Sequence, residues 1–250
     1  MPDFNMNERR VIDINPKSVF RGAGLVILLC AILVVYIGYE YFTYPDVSVL
    51  TKQNPKSTAW MEMRDREGRS TGRKPQRHQI WKPIRAIPAN LKNAVLIAED
   101  AAFFRHEGLD YGEIREAIKI NAEKMEFARG ASTITQQLAK NLYLSPSKNP
   151  VRKLKEMLLT FSLEKHLSKN RIFEIYLNVI EWGDGIYGAE AAARAYFGKS
   201  CSELSDSEAA ALAAVIINPR RYSPVNPGKR IRRRTAMIEA RMAKYRYYKN

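Results

Sequence analysis

The chain has 250 residues, enough for one sizeable domain and an appendage, and its 46% hydrophobic content is ordinary for a globular core. With 41 Lys and Arg against 26 Asp and Glu, the formal charge of +15 predicts an anionic partner: nucleic acid, a phosphate-bearing substrate or an anionic membrane surface. Two cysteines, at 30 and 201, and three histidines, at 78, 106 and 166, show no metal-ligand spacing and no disulfide framework.

Residues 22–39, GAGLVILLCAILVVYIGY, carry no charge, with Arg21 before them and Glu40 after. A stretch of about 18 to 20 such residues spans a bilayer core. Tyr36, Tyr39 and Tyr41 suit the far interface. A cleaved signal peptide is the competing reading, but its apolar stretch is shorter and ends in small residues. Arg9, Arg10, Lys17 and Arg21 place the short N-terminal segment in the cytoplasm by the positive-inside rule. The expected organisation is a cytoplasmic segment (1–20), a transmembrane helix (21–42), a linker or membrane-proximal segment with little regular structure (43–80), an outer domain (81–227) and a basic C-terminal tail (228–250).

The linker expectation rests on Pro45, Pro55 and Pro75 with glycines at 68 and 72. After Pro88 the pattern is helical. Ser132 precedes TITQQLAKNLYL, and Pro150 opens VRKLKEMLLTFSLEKHL, where its missing N–H costs nothing. Ser205 and Glu208 have capping-box spacing before AAALAAVII, and Gly198 is a stop for AEAAARAYF. Alternating strand patterns are nearly absent, so the outer part reads as mainly α.

Four stretches carry polar residues in chemically suggestive patterns. In EDAAFFRHEG (99–108), Glu99 ends the apolar run AVLIA, a place from which a carboxylate can face a cleft. It suits a general base; a surface carboxylate paired with a nearby Lys or Arg is the plainer reading. Asp100 suits a supporting role beside it, and His106 a hydrogen-bonded structural one. In GASTITQQLAKN (130–141), Ser132, Gln136 and Lys140 form one helical stripe and Thr133, Gln137 and Asn141 the next, beside the apolar row Ile134, Leu138 and Leu142. Such amides and hydroxyls suit a polar cleft, although a solvated face looks similar. In RKLKE (152–156), Arg152, Lys155 and Glu156 share a face opposite Leu154, Leu158 and Phe161, which alone is an ordinary amphipathic helix. The fourth stretch, RIFEIYLN (171–178) followed by WGDGIYG (182–188), reads as structural, with Glu174, Tyr176 and Asn178 bracing a cleft.

In this order and spacing, the four stretches resemble the peptidoglycan glycosyltransferase family, from about residue 81 to 224. That resemblance implies a mainly α, lysozyme-like helical domain carried on one N-terminal transmembrane helix. It implies a polymerase that transfers a growing glycan from polyprenyl diphosphate to the 4-hydroxyl of lipid II, with inversion, forming β-1,4 bonds. Glu99 would be the base, and Glu156 the second essential carboxylate. Ser132, Thr133, Gln136, Gln137, Lys140 and Asn141 would line the donor site, with Lys140 on the diphosphate. Lys148, Arg152, Lys153 and Lys155 would share that charge, Lys148 standing where relatives often have Arg and lacking its planar fork.

The expected partners are lipid II, the lipid-linked glycan, membrane lipids and other wall-synthesis proteins, with no nucleic acid. No cofactor is required, and a divalent cation at the diphosphate is compatible with the chemistry. The expected location is the inner membrane, single-pass, with the catalytic part on the periplasmic side. Ser145 and Lys148 match S-x-x-K, but no K-T-G or S-D-N follows, so no transpeptidase domain is expected. A lytic enzyme of the same fold needs no cluster of diphosphate-binding cations, and a non-catalytic anchored scaffold would tolerate loss of Glu99 or Glu156. A nucleic-acid binder is disfavoured by topology and by the lack of a recognition motif.

Overall fold

The computed structural model describes residues 43–74, 76–124, 131–146, 150–245 and 248, with isolated positions at 28, 31, 35, 38 and 39. It divides into two compact units, Met1–Asp46 and Val47–Asn250. In the first, Leu28, Ala31, Val35, Gly38 and Tyr39 are helical. Most of the expected transmembrane segment, 21–42, lies outside the described residues, and none of the described helices is long and apolar enough to cross a membrane.

The second unit is mainly helical. Its described helices are α1 (Ala59–Ser70), α2 (Ala89–Glu99), α3 (Tyr111–Lys124), α4 (Ile134–Tyr143), α5 (Pro150–His166), α6 (Lys169–Val179), α7 (Ala189–Phe197), α8 (Asp206–Val215) and α9 (Lys229–Met242). The terminal signals act as the sequence implies. Ser205 and Glu208 close a capping box on α8, and Gly198 ends α7 in the left-handed conformation. At α4 the cap is Thr133, one residue beyond the expected Ser132, because Gln136 is then placed to return its side-chain oxygen to the Thr133 N–H.

α8 is alanine-rich and buried on nearly every side, and its small side chains let α2 and α9 pack closely against it. α4 packs against α5, α6 and α1. Trp182, Tyr176, Tyr187, Phe103 and Phe173 are the largest side chains of the core. Three short strands, β1 (His78–Gln79), β2 (Glu181–Gly183) and β3 (Ile186–Tyr187), form a sheet in the order β1-β3-β2. β1 runs parallel to β3 and β2 antiparallel to it, with a register irregularity between Glu181 and Gly183. Strands of two or three residues are too short to show alternation in the sequence. Gly188 follows at φ 85°, where a Cβ would stand 2.8 Å from the Asn178 carbonyl, so the chain turns here against the α6 backbone.

Two expectations are corrected. Residues 43–80 have more regular structure than expected. They hold a 3-10 turn at Val47–Thr51, the 12-residue α1 and strand β1. Thr58 caps α1, Met61 anchors it in the core, and the prolines lie outside it. Residues 228–250 are likewise not merely a basic tail, because α9 buries Ile231, Ile238 and Met242 against α2 and α8. Its arginines occupy the remaining faces.

Candidate active site

Glu99 is the last residue of α2. The buried run Ala94 to Ile97 fixes that helix in the core and brings the carboxylate to the wall of a cavity of about 670 Å³, also lined by Asp100, His106, Ser132, Thr133 and Arg234. Both Glu99 oxygens are held. Oε1 accepts from Arg234 Nη2 at 2.9 Å, and Oε2 accepts from Gln137 Nε2 at 3.0 Å. Burial pushes the Glu99 carboxyl above its ordinary range, while Arg234, Gln137 and Lys140 pull it down against that rise.

Behind this pair, Gln137 Oε1 accepts from the Tyr176 hydroxyl at 2.9 Å. Burial, with the Glu99 and Asp100 charges nearby, raises the Tyr176 phenol well above its ordinary value, so it remains a donor. Arg234, Glu99, Gln137 and Tyr176 therefore form one hydrogen-bonded chain across α9, α2, α4 and α6.

Asp100 points the other way. Its carboxylate accepts from His106 Nε2 at 3.0 Å and from the Ile134 N–H at 3.0 Å, which caps α4 with a negative charge. Asp110 receives the Glu113 N–H at 2.9 Å. Asp100, His106 and Asp110 bring ligand-type atoms within 4.8 Å of one another, but both carboxylates are already helix caps.

The polar residues of α4 divide in two. Thr133 and Gln136 are buried and committed to the capping box, and Thr133 also donates to the Gly108 carbonyl at 2.6 Å. Ser132 stays exposed on the wall of the larger cavity. Gln137, Lys140 and Asn141 line a second cavity of about 310 Å³ with Trp60, Arg64 and Glu181. Asn141 spends one N–H on the Gln137 carbonyl at 2.8 Å. The Lys140 ammonium lies 5.9 Å from the Trp60 ring centroid. Burial lowers its proton affinity; the Arg152 and Lys153 charges add to that effect, while Glu156 and Glu99 oppose it. A shielded ammonium of this kind suits an incoming anion.

On α5, Glu156 is buried and accepts from Arg152 Nη1 at 2.8 Å and Lys153 Nζ at 2.5 Å. The carboxylate thus gathers two cations near Lys140. Lys155 is half-buried, and Lys148 lies outside the described residues. The opposite row, Leu154, Leu158 and Phe161, is exposed, so α5 turns its carboxylate inward and this row outward, while Leu159 and Leu163 seat it in the core.

Glu174 and Asn178 hold backbone. Glu174 accepts from the Ile84 N–H, and Asn178 bonds both the N–H and the carbonyl of Lys82, each at 2.8 Å. Tyr176 instead reaches the site. Arg234 is the residue at this candidate site that sequence reasoning missed. It lies within KRIRRR (229–234), 135 residues from its partner, and the only local signal was the apolar spacing of Ile231, Ile238 and Met242 around it.

Residues 67–243 match the family model described as Transglycosylase. The chain is 42% identical over 221 residues to the biosynthetic peptidoglycan transglycosylase of Dechloromonas aromatica, covering 88% of this chain and 96% of the relative. It is 44% identical over 217 residues to the protein of that name from Nitrosospira multiformis, covering 87% and 94% respectively. With the Aromatoleum aromaticum protein of the same name it shares 42% over 226 residues, covering 90% and 97%.

Proposed function

The chain belongs to the transglycosylase family of peptidoglycan glycosyltransferases, and from that premise we propose that Glu99 is the base that joins lipid II to a growing lipid-linked glycan. The observation that carries this reading is a carboxylate shielded from solvent at the wall of a cavity, held by Arg234 and Gln137, with the shielded Lys140 ammonium further along α4.

Glu99 takes the proton from the acceptor's 4-hydroxyl, and that oxygen attacks the anomeric carbon of the donor sugar. The bond from that carbon to the diphosphate oxygen breaks on the opposite face, giving inversion and a β-1,4 linkage. The leaving diphosphate gains negative charge, which Lys140, Arg152, Lys153 and Lys155 meet, with Lys148 as a further cation. Glu156 holds Arg152 and Lys153 in place for that task. Ser132 and Asn141 bind sugar or phosphate oxygens, whereas Thr133 and Gln136 act through the capped end of α4. The chemistry requires no cofactor and leaves room for a divalent cation at the diphosphate.

A carboxyl raised by burial also suits a glycosidase acid, which is the lytic reading. The surrounding cations favour a leaving diphosphate instead, and the relatives are named biosynthetic. We place the catalytic unit on the periplasmic face of the inner membrane as a monofunctional polymerase, anchored through residues 21–42, a reading that rests on their uncharged run and the basic flank before it. Both substrates are anionic and membrane-borne, which accounts for the basic surplus.

Polymerisation of fluorescent lipid II in detergent, comparing wild type with Glu99→Gln, tests the reading. Long glycan from the wild type and none from the variant is expected. Glycan from both would move the base elsewhere, with Glu156 next in line. Glycan from neither would favour a scaffold.

A further inference from the structure

We infer that Arg234 is a positioning residue for this reaction: its guanidinium fixes the aim of the Glu99 carboxylate and keeps it ready to accept a proton. The inference rests on the reading of Glu99 as base.

One nitrogen does this work. Arg234 Nη2 carries two hydrogens and gives one to the Ala98 carbonyl and one to Glu99 Oε1, each at 2.9 Å. Ala98 and Glu99 are the last two residues of α2, where carbonyls lack intrahelical partners and the helix dipole is negative. The same guanidinium therefore ties the final turn of α2 and the carboxylate it carries into one geometry. Rotating Glu99 away would break a hydrogen bond in a place where the side chains are only 22% and 12% exposed.

The mount is rigid. Ile231 and Ile238, three residues before Arg234 and four after, are fully buried where α9 meets α2 and α8. Arg234 Nε is buried with no hydrogen-bond partner among the described residues, and Nη2 is the nitrogen that holds the end of α2.

Glu99 is faced by Arg234 from α9, Lys140 and Gln137 from α4, Tyr176 from α6, and neighbouring Asp100 with its His106 partner, and Arg105, Asp110, Glu113 and Arg241 line the same cavity. Of these, Arg234 is the charged group hydrogen-bonded to it. Burial favours the protonated acid, which cannot act as base; the adjacent cation opposes this. Removing the cation raises the proton affinity of Glu99, so activity is lost first on the acid side and returns as pH rises.

The test is the pH dependence of kcat and KM for lipid II polymerisation by the full-length protein in detergent, from about pH 5 to 9. Wild type, Glu99→Gln, Arg234→Gln and Arg234→Lys are compared, with thermal melting to confirm folding. Arg234→Gln is expected to move the acid limb of kcat up by about one pH unit or more, with KM little changed. Arg234→Lys keeps the charge but not the planar fork. Its acid limb is expected to stay near wild type while its plateau kcat falls about threefold to tenfold. An equal fractional loss at every pH in Arg234→Gln would mark a purely structural role and overturn the inference. So would an unchanged profile, or an Arg234→Lys plateau equal to wild type, the deciding result if Arg234→Gln does not fold. Glycan from Glu99→Gln, or none from the wild type, would overturn the base assignment itself and the inference with it.

Discussion

Asp100→Asn perturbs the joint that sets Glu99 against α4. The wild-type carboxylate accepts two hydrogen bonds, from His106 and from the Ile134 N–H, at the positive end of a helix. An amide of the same shape has one acceptor oxygen, so it keeps the Ile134 contact and turns its NH2 toward His106. Replacing two charge-assisted bonds by neutral ones, with the His106 proton moved to Nδ1 so that Nε2 accepts from the amide, costs about 1–2 kcal/mol, and losing the charge at the α4 N-terminus adds about 0.5–1 kcal/mol. A loss of about 1.5–3 kcal/mol lowers the melting temperature by about 3–12 °C for a domain of this size. Calorimetry of the detergent-solubilised protein reads that shift, and lipid II polymerisation at a temperature well below melting reads the activity. Because α4 carries Gln137, which donates to Glu99, kcat is expected to fall as well as stability. A fully stable variant with normal kcat would refute the argument that Asp100 sets the position of the base.

Two further outcomes follow from the fold. Glu190 is buried and accepts from Arg194, Ser200 and the Cys201 N–H, which more than offset its burial and push its carboxyl down to about 2. Its folded value lies below its unfolded value of about 4.3, so its stabilisation is present above that pH and is lost as pH falls toward 2. The melting difference between wild type and Glu190→Gln should therefore be largest near neutrality and narrow through that window; a constant difference would contradict it. Gly188→Ala forces a side chain into left-handed backbone against the Asn178 carbonyl and should destabilise by about 1–3 kcal/mol, measured by denaturant unfolding. A shift below about 0.5 kcal/mol would show that α6 and the turn separate easily.

Local signals in the sequence located several helix ends. Ser205 with Glu208, Pro150 and Gly198 each act through bonds or backbone constraints confined to a few residues, so their effect was legible without tertiary structure. Glu99, Lys140 and Glu156 were legible through the family resemblance. The residues alone favoured a plain surface carboxylate and an ordinary amphipathic helix. Helix α1 was missed because Met61 is its only fully buried apolar side chain, which leaves almost no periodic stripe among the charges. The inward turn of Glu156 was also illegible, since amphipathicity alone buries Leu154, Leu158 and Phe161 instead. Arg234 depends on a contact between chain segments far apart, and a run of basic residues gives no hint of which one meets a carboxylate.

The Tyr176 hydroxyl occupies the oxygen of the Gln137 amide and so determines which end of that amide faces Glu99. On its protein side, the carboxylate therefore meets hydrogens from Gln137 and Arg234. With Glu99 as the base proposed above, a proton captured from the acceptor would find no place to go inward. It would leave by the route it came, through the cleft, to water or to the next molecule that enters. Resetting the base would then be coupled to clearing the cleft, and a product that lingered there would hold the enzyme in its spent, protonated state.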